Sequence, residues 1–522
     1  MILNIKNLTH MYDNKVLFDD ISLSINKGEH VGIVGLNGAG KTTFMNIISK
    51  KIIQDAGEVT WLNGIRWGYL DQHADIDRSK TVMEYLKESF AYLYEKEKEM
   101  NDIYEELSNV SDQDLMDQLI NKSSKIQDYL LTMNFYDLDS QIKKIANGLG
   151  VNTFGYDTLI SKLSGGQRAK LMLSKLLLEN LDVMLLDEPT NFLDVAHIEW
   201  LKNFLNSYEG TFMVISHDTE FLDGVCSLII SVENSVVKKY PGNYSNYLQQ
   251  HDIARKQYQD DYERQQREIK KMEEYIAKNK ARAATAGMAN SRKKMLDRIE
   301  VMNKPITMIP AKFNFPYTLA VSKEFFSVEQ LAIGYGEKIL IDNISFTLSS
   351  NDKLWIKGAN GVGKSTFIKT IMGVIPNLKG KFYFHINAKV SYIEQDLDFK
   401  NVDCNAASYM GYCHPKMSQK DIRAQLAKVG IKDNLAIKTI SQMSGGEQVR
   451  VKLCALMQNP SNMLILDEPT NHLDIMAKDA LMEALNEYEG AIILVSHEPS
   501  WADKICNLSY DLEERKSENL IK

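Results

Sequence analysis

The same glycine-rich loop occurs twice in this chain, and this repeat restricts the fold more than any other feature. The first copy spans residues 35–42 and the second spans residues 358–365. Both read Gly-x-x-Gly-x-Gly-Lys followed by Thr or Ser. Each copy follows an apolar run typical of a buried strand and precedes a segment that can form a helix. A repeated strand–loop–helix unit predicts two α/β domains, each with a parallel sheet.

Downstream of the loops, the intervals between motif residues are equal in the two halves except at one place. The unequal interval lies between a glutamine and a serine. It measures 92 residues in the first half and 49 in the second, so the first half contains 43 additional residues. We therefore expect one inserted segment in the first domain and an otherwise common fold. The equal intervals are 31 residues (Lys41 to Gln72, Lys364 to Gln395), 24 residues (Ser164 to Glu188, Ser444 to Glu468) and 29 residues (Glu188 to His217, Glu468 to His497).

The composition is that of an intracellular protein with several cored domains. The chain has 522 residues, of which 44% are hydrophobic, and its five cysteines are scattered without a Cys-x-x-Cys pair. This distribution argues against a disulfide framework or a zinc site and fits a reducing cytosol. No apolar run approaches the ~20 residues that span a bilayer, and the N-terminus lacks a signal-peptide pattern. We expect a cytoplasmic protein that does not enter a membrane.

The insertion is predicted to be an acidic helical hairpin, here called the arm, at about residues 90–138. Apolar residues recur there at helical steps in two series, which polar residues separate. Ser111 is the predicted N-cap of the second helix. Residues 81–130 contain 12 Asp and Glu against 5 Lys and Arg, so the arm suits a basic protein surface better than RNA. A helix pair that merely decorates the domain would show the same charge pattern.

The segment between the halves is predicted to form two long antiparallel helices. Apolar residues recur at helical spacing on both sides of a stretch of small residues at 283–289. The first helix, from about Ser245 to Arg282, would be roughly 50–55 Å long. Residues 264–298 contain 11 Lys and Arg against 4 Asp and Glu, although the whole chain has a net charge of −8. We assign residues 1–240 and 311–522 to the two domains, and residues 241–310 to a basic coiled-coil linker.

The glycine-rich loops have the composition of phosphate-binding loops. Glycines allow several backbone N–H groups to converge on phosphate oxygens at the positive end of the following helix. Lys41 and Lys364 are expected to reach the β- and γ-phosphates of ATP, and the hydroxyls of Thr42 and Ser365 are expected to bind Mg²⁺. The expected loop contacts are Gly35, Asn37, Gly38, Gly40, Lys41, Thr42 and Thr43 in the first half, and Gly358, Asn360, Gly361, Gly363, Lys364, Ser365 and Thr366 in the second.

Two apolar strands end in paired carboxylates that suit ATP hydrolysis. A buried parallel strand delivers the residues at its C-terminal end to the phosphate site. Asp187 and Asp467 are expected to hold Mg²⁺, and Glu188 and Glu468 to act as general bases toward the attacking water. A lone histidine is more often structural, but two histidines that follow β-rich runs at equal intervals are expected to contact the γ-phosphate. They are His217 and His497.

The motifs resemble those of the ATP-binding cassette (ABC) superfamily. Residues 163–167 and 443–448 resemble its signature motif. Two domains of that superfamily close head to tail, so the resemblance implies that the loop of each half binds ATP against the signature of the other half, within one monomer. The implied nucleotide contacts are the signature residues Ser164, Gly165, Gly166, Gln167, Ser444, Gly445, Gly446 and Glu447, the Q-loop residues Gln72 and Gln395 (also metal ligands), the D-loop residues Asp194 and Asp474, and the adenine-stacking residues Tyr12 and Tyr335.

Within that superfamily, the whole chain resembles the ABC-F family. The features that carry the resemblance are two cassettes in one chain, the arm, the charged linker, and the sequences DEPTNFLD and DEPTNHLD at 187–194 and 467–474. That family consists of ribosome-associated ATPases. The resemblance implies that the chain enters the tRNA exit site of the 70S ribosome, points its linker at the peptidyl-transferase centre and touches a ribosomal protein with its arm. The expected rRNA contacts are Lys270, Lys271, Lys278, Lys280, Arg282, Arg292, Lys293, Lys294 and Arg298.

Several functions remain open at this point. The leading hypothesis is a translation factor for stalled ribosomes, in which ATP closes the halves and hydrolysis reopens them. The near alternative is antibiotic resistance by ribosomal protection, although many resistance members have a longer linker tip than 283–289. A tandem ATPase subunit of a membrane importer would lack the long basic linker. A DNA-repair ABC ATPase would carry zinc cysteines or a longer coiled coil.

Overall fold

The computed structural model describes residues 1–12, 15–36, 38–70, 76–110, 112–191, 193–233, 235–279, 286–299, 301–302, 311–319, 324–336, 338–359, 361–394, 399, 403–432, 434–471, 473–496 and 498–519. These residues form two α/β units, a helix pair within the first unit and a long helix that leaves it, which confirms the predicted fold class. Nowhere in these ranges does a helix combine the length and the apolar character that crossing a bilayer requires.

The strands of the first half form two sheets. They are β1 (Leu3–Tyr12), β2 (Lys15–Ile25), β3 (His30–Val34), β4 (Ala56–Trp61), β5 (Trp67–Leu70), β6 (Val183–Asp187), β7 (Thr211–Ile215), β8 (Leu228–Glu233) and β9 (Val236–Pro241). Strands β5, β6, β7, β3 and β8 lie parallel in that order, and β9 pairs antiparallel with β8. Strands β2, β1 and β4 form a separate antiparallel sheet. The loops after β3, β6 and β7 therefore meet at one edge of the parallel sheet.

The helices of the first half connect these strands and include the arm. They are α1 (Lys41–Ile48), α2 (Val82–Lys87), α3 (Ala91–Leu107), α4 (Gln113–Thr132), α5 (Leu138–Gly148), α6 (Gly165–Leu178), α7 (Val195–Asn206) and α8 (Thr219–Val225). Helices α3 and α4 lie inside the predicted insertion and pack antiparallel. Tyr94 near the start of α3 meets Phe135 just after α4 at 5.2 Å between ring centroids, and Glu99 pairs with Lys122 at 2.8 Å.

The predicted N-cap of the second arm helix is wrong. Helix α4 is capped by Asp112, whose side chain accepts a hydrogen bond from the N–H of Asp114 at 3.0 Å. Ser111, the predicted cap, lies outside the described residues. Both residue types can cap a helix, but an aspartate also interacts favourably with the positive end of the helix dipole.

The segment between the halves contains α9 (Tyr244–Asn279) and α10 (Ala286–Leu296). Helix α9 has 36 residues, which corresponds to roughly 54 Å. Two contacts show that the chain returns antiparallel to α9. The Arg292 guanidinium lies 3.7 Å from the centroid of the Tyr275 ring, and the N–H of Met302 donates to Gln265 Oε1 at 2.8 Å. The long first helix of the linker was thus predictable from sequence.

The apolar stripe predicted for the second linker helix is buried only in part, since Ile299 and Met302 are half-buried. Met288 and Met295 are each 57% exposed. Helix α10 has 11 residues, so it covers only the far end of α9, and two isolated helices cannot enclose side chains as a third layer would. A cation–π contact and a hydrogen bond join the two sides of the linker where the structure describes them. The coiled coil stays a prediction, and residues 283–285 of the predicted tip lie outside the described ranges.

The second half repeats the first without the arm. Its strands are β10 (Glu324–Tyr335), β11 (Lys338–Ser349), β12 (Lys353–Lys357), β13 (Lys379–Phe384), β14 (Val390–Ile393), β15 (Met463–Asp467), β16 (Ala491–Val495), β17 (Leu508–Asp511) and β18 (Lys516–Asn519). Its helices are α11 (Lys364–Ile371), α12 (Ala406–Cys413), α13 (Gln419–Lys428), α14 (Asn434–Ile437), α15 (Gly445–Leu456), α16 (Ile475–Glu487) and α17 (Pro499–Ala502). The strand orders β14-β15-β16-β12-β17-β18 and β11-β10-β13 match those of the first half.

The two halves touch along the edges that carry these loops. Ile475, at the start of α16, packs against the apolar core of the first half. Lys478 Nζ, one turn further along α16, lies 3.3 Å from the carbonyl oxygen of His217. The ends of the parallel strands in one half therefore face the other half.

Candidate active site

Both glycine-rich loops have a backbone that favours glycine. Gly35, Gly38 and Gly40 have φ angles of 153°, 74° and 100°, and the equivalent glycines of the second loop have 143°, 84° and 120°. A Cβ on Gly35 would lie 2.4 Å from the carbonyl oxygen of Val232, so any side chain there would force the loop away from β8. Helices α1 and α11 begin at the loop lysines without a side-chain cap. Their positive ends therefore face the loops, as anion binding requires.

Two buried lysines close the loops. Lys41 Nζ donates to the carbonyl oxygens of Gly35 at 2.8 Å and Leu36 at 3.1 Å, and Lys364 makes the equivalent contacts at the same distances. Burial lowers the pKa of both lysines, while neighbouring carboxylates oppose this effect. A buried cation surrounded by loop carbonyls and backbone N–H groups suits a bound phosphate.

The carboxylates that act on the two lysines come from both halves of the chain. Lys41 interacts with an aspartate that precedes α16 of the second half, and Lys364 with an aspartate that precedes α7 of the first. Each phosphate loop therefore faces the D-loop of the opposite half. In order of effect, the groups are Glu188, Asp474 and Asp187 for Lys41, and Glu468, Asp467, Asp194 and Glu513 for Lys364.

The glutamates after β6 and β15 share an uncommon backbone conformation. Glu188 has φ 50° and Glu468 has φ 51°, in the left-handed region that non-glycine residues rarely occupy. The conformation is held from the neighbouring strand, because the N–H of Glu188 donates to Ile215 at 2.9 Å and that of Glu468 to Val495 at 3.0 Å. The same strain at equivalent places fixes both carboxylates at the edge where the halves meet.

Glu188 and His217 form a pair within the first site. The backbone N–H of His217 lies 3.3 Å from Glu188 Oε2, and His217 Nε2 lies 3.4 Å from Glu188 Oε1. Burial and the charge of Asp187 raise the pKa of Glu188 to about 8, against the opposing effect of Lys41 and Lys478. A carboxyl group with a pKa near neutrality can take and release a proton at physiological pH.

The signature serines both cap helices. Ser164 begins α6 and Ser444 begins α15, and each forms a capping box with the residue three positions later. Gln167 accepts from the N–H of Ser164 at 2.8 Å, and Glu447 accepts from the N–H of Ser444 at 2.9 Å. Both side chains were predicted to contact nucleotide, whereas here they hold the ends of the signature helices. The positive ends of α6 and α15 are thereby fixed in place.

The D-loop aspartates are helix caps as well. Asp474 accepts from the N–H of Ala477 at 2.9 Å, and Asp194 accepts from the N–H of His197 at 3.1 Å. His197 Nδ1 also lies 2.7 Å from Asp194 Oδ1. Although partial burial acts in the opposite direction, these contacts lower the pKa of Asp194 to about 2. The second half has Ala477 where the first has this histidine, so Asp474 lacks the side-chain partner that Asp194 has.

A cavity of about 340 Å³ lies between the halves at the first phosphate loop. It is composite, because the signature of the second half forms one wall, as the head-to-tail resemblance implied. The cavity brings together the predicted residues Gly38, Gly40, Lys41, Thr42, Thr43, Asp187, Glu188 and His217 of the first half with Ser444, Gly445, Gly446 and Glu468 of the second.

Several predicted site residues lie away from this cavity or outside the described ranges. Tyr12 and Tyr335 end β1 and β10 with exposed rings, and Tyr335 Oη lies 3.3 Å from Thr366 Oγ1. Tyr335 thus lies beside the helix that follows the second loop, with its ring exposed. Asn37, Gln72, Asn360, Gln395 and His497 lie outside the described residues, as do Lys280 and Arg282 of the linker.

The oxygen donors at the first loop fit a magnesium ion that is bound together with a nucleotide. Thr42 and Asp187 line the cavity beside Lys41. Among the described residues, no cluster of three or more His, Cys, Asp or Glu side chains could hold a metal by itself. Mg²⁺ commonly takes one or two protein oxygens and completes its shell with phosphate and water, so this sparse set is suitable.

Sequence reasoning missed Lys478, which lines the cavity together with Glu498. Lys478 comes four residues after the D-loop aspartate, where the first half has Ile198. Comparing the halves position by position after the D-loop would have revealed this difference. Spacing alone could not show that the side chain reaches across to the first half.

Protein-family models match most of the chain, including the arm. A family model described as ABC transporter matches residues 18–191 and 341–471. A second model with the same description matches residues 230–315, which include the linker.

Curated relatives match over nearly the whole chain. YfmM of Bacillus subtilis (strain 168), named an uncharacterized ABC transporter ATP-binding protein, is 39% identical over 98% of this chain and 98% of its own length. ABC transporter F family member 2 of Arabidopsis thaliana is 33% identical over 96% of this chain and 75% of its own length. Among solved structures, the archaeal ribosome recycling factor aABCE1 superposes with a TM-score of 0.60 at 18% identity, covering 97% of this chain and 87% of that one. That likeness is one of fold.

Proposed function

This chain belongs to the ABC-F family of ATP-binding cassette proteins, and on that premise we propose that it is a ribosome-associated ATPase. In this proposal it enters the tRNA exit site with ATP bound, directs its linker toward the peptidyl-transferase centre and leaves after hydrolysis. One observation supports this most. A composite cavity for ATP and a helix of 36 residues that ends in a basic segment belong to the same chain.

The ATPase reaction is proposed to take place where the phosphate loop of one half meets the signature motif of the other. At the first site, Lys41 and the N-terminal end of α1 hold the phosphates, while Ser444 and Gly446 cover the nucleotide from the other half. Glu188 accepts a proton as water attacks the γ-phosphorus and the bond to the ADP oxygen breaks. His217, 3.4 Å from Glu188, is placed to contact the γ-phosphate. Mg²⁺, held by Thr42 and Asp187, would offset phosphate charge.

The second site is proposed to work in the same way. Lys364 repeats the loop contacts of Lys41, Glu468 repeats the backbone conformation of Glu188, and Asp467 is buried beside Glu468. Ser365 and Asp467 would hold the metal there, and Ser164 and Gly166 would cover the nucleotide. We therefore propose two hydrolytic sites that form when the halves close.

The linker is proposed to track RNA phosphates. A basic helix pair of this length can follow a phosphate backbone by charge and shape without reading base sequence. The predicted contacts that the structure describes have exposed side chains, so they are available to a partner: Lys270, Lys271, Lys278, Arg292, Lys293, Lys294 and Arg298. The acidic arm is proposed to meet a basic ribosomal protein.

Co-sedimentation with ribosomes tests the proposal. The double substitution Glu188→Gln/Glu468→Gln is expected to hold ATP unhydrolysed and to migrate stably with 70S particles only when ATP is present. Migration at the top of the gradient with ATP binding intact would contradict the ribosome assignment.

A matched pair of charge variants tests the part assigned to the linker. Replacing Lys270, Lys271 and Lys278 by Gln in the double variant is expected to weaken co-migration and to flatten its dependence on salt, because fewer counterions are released. Replacing the exposed Lys379 and Lys381 of the second half should leave both unchanged. Equal effects of the two sets would mean that charge acts only non-specifically.

A further inference from the structure

Lys478 is a buried cation placed at the boundary between the halves. It is 8% exposed, and its Nζ lies 2.7 Å from Glu498 Oε1 and 3.3 Å from the carbonyl oxygen of His217. Glu498 belongs to the same half as Lys478, whereas His217 belongs to the other. The indole N–H of Trp501 lies 3.3 Å from the carbonyl oxygen of Lys478, which fixes this turn of α16. The lysine is therefore anchored in the second half and points into the first site.

Lys478 contacts a residue that is proposed to take part in catalysis at the first site. The carbonyl it touches belongs to His217, whose own N–H and ring both contact Glu188. Lys478 also lines the cavity that contains Lys41 and Glu188. A donor in this place can hold the loop after β7 against Glu188 only while the halves are together.

The acidic groups around Lys478 would oppose close approach of the two halves if the lysine were absent. Glu498 of the second half and Asp218 of the first both line the cavity, and each interacts electrostatically with the other and with Lys478. Without the lysine, two partly buried acids from opposite halves would face each other. Unpaired buried charges of like sign are costly, so the lysine favours closure as well as positioning.

The second site lacks this residue. Lys478 stands four positions after Asp474, and the residue four positions after Asp194 is Ile198. Ile198 packs against the apolar core of the first half and has no group that could donate a hydrogen bond. The symmetry that relates the two halves is therefore broken at one functional position.

We propose that Lys478 is a positioning residue that the second half supplies to the first ATP site, and that the two sites are unequal because the second has no counterpart. Closure delivers the ammonium group to the His217 carbonyl, which sets His217 and Glu188 for the attack of water. Hydrolysis at the first site is thereby coupled to closure through a side chain as well as through the signature. This inference rests on the proposed roles of Glu188 and Glu468 as bases of separate sites.

The test follows each site separately in the full chain. Glu468→Gln leaves only the first site able to hydrolyse, and Glu188→Gln leaves only the second. In each background, the rate of the first turnover is measured after rapid mixing with saturating ATP, so that reopening does not limit it. We expect Lys478→Met to lower this rate at least about tenfold in the Glu468→Gln background and to change it less than about twofold in the Glu188→Gln background.

Two further variants separate positioning from a general effect on folding. Lys478→Arg should restore most of the lost rate, because a guanidinium can still donate to the carbonyl and pair with Glu498. Lys504→Met, which removes an exposed lysine of the same half, should leave both rates unchanged. For Lys478→Met we expect an unequal loss of first-turnover rate in the two backgrounds with an unchanged KM for ATP. Any loss of stability from leaving Glu498 unpaired is common to both backgrounds, so it cannot produce the inequality.

Equal loss in both backgrounds, or no loss in either, would overturn the inference about Lys478. A different result would contradict the proposed roles of the two glutamates. If neither single Gln substitution abolishes hydrolysis at one site, Glu188 and Glu468 are not the general bases of the two sites. The single substitutions alone therefore distinguish failure of the proposed catalytic roles from failure of the role given to Lys478.

Discussion

At the scale of single residues, identity was predictable from sequence but conformation was not. The Asp-Glu pairs at the ends of two apolar strands predicted carboxylates at the edge of each parallel sheet. Asp187 and Asp467 are the last residues of β6 and β15, and the glutamates follow directly. The left-handed backbone of Glu188 and Glu468 could not be predicted, because the hydrogen bonds to Ile215 and Val495 of the adjacent strands hold it. Local sequence does not contain the partner that stabilises such strain.

The pKa of Glu188 leads to a pH-dependent stability of the nucleotide-free protein. The folded chain raises this pKa from 4.5 to about 8. Below pH 4.5 the carboxyl is protonated in both states. Between the two values, the unfolded chain loses the proton while the folded chain keeps it, so stability falls as pH rises. Glu188→Gln removes this penalty and should melt at a higher temperature, by a margin that opens between about pH 4.5 and 8.

Thermal unfolding of both proteins in EDTA without nucleotide measures this margin. Even 1 kcal/mol corresponds to about 2–4 °C in a domain of this size. Glu209→Gln, a substitution of an exposed glutamate, serves as the control. Its difference in melting temperature from wild type should not grow between pH 4.5 and 8. A constant difference between wild type and Glu188→Gln from pH 4.5 to 8 would contradict the account of this carboxyl.

At the scale of elements, strong periodicity predicted which helices exist. It did not predict their end residues or their packing. The arm helices and α9 have regular apolar or charged patterns over many turns, and they were predicted close to their observed bounds. The cap of α4 was misplaced by one residue, since Ser111 and Asp112 are both good caps. Met288 and Met295 of the predicted stripe are exposed, because burial depends on what covers a helix, which the periodicity of the helix does not reveal.

The arm offers a matched test of packing in adjacent leucines of α4. Leu130 is 0% exposed within the core of the first half, and Leu131 is 54% exposed. Leu130→Ala should destabilise the first half by roughly 2–5 kcal/mol, whereas Leu131→Ala should cost about 0.5 kcal/mol or less. Denaturant unfolding gives the two free energies, and hydrogen exchange should show faster opening of α3 and α4 in Leu130→Ala only. Similar losses for both variants would mean that the arm does not share the domain core.

At the scale of the whole molecule, the repeat predicted two equivalent halves. The resemblance to ABC proteins implied that these halves face each other head to tail. Equal spacings could not indicate which residues of one half reach into the other. The resemblance implied the second-half signature in the wall of the first cavity, whereas the position of Lys478 at the His217 carbonyl needed the folded chain. Each arises from side chains that are far apart in sequence and meet only when the halves are together.

The most direct test of the account is whether a signature serves the opposite half. Ser444→Arg places a bulky side chain at the wall of the cavity that contains Lys41, in the same half as Lys364. In the Glu468→Gln background, where only the first site hydrolyses, the account predicts that this substitution abolishes the first-turnover burst of phosphate. In the Glu188→Gln background, the second site should still give its burst. Loss of the burst at the second site with retention at the first would contradict the account, because each signature would then serve its own half.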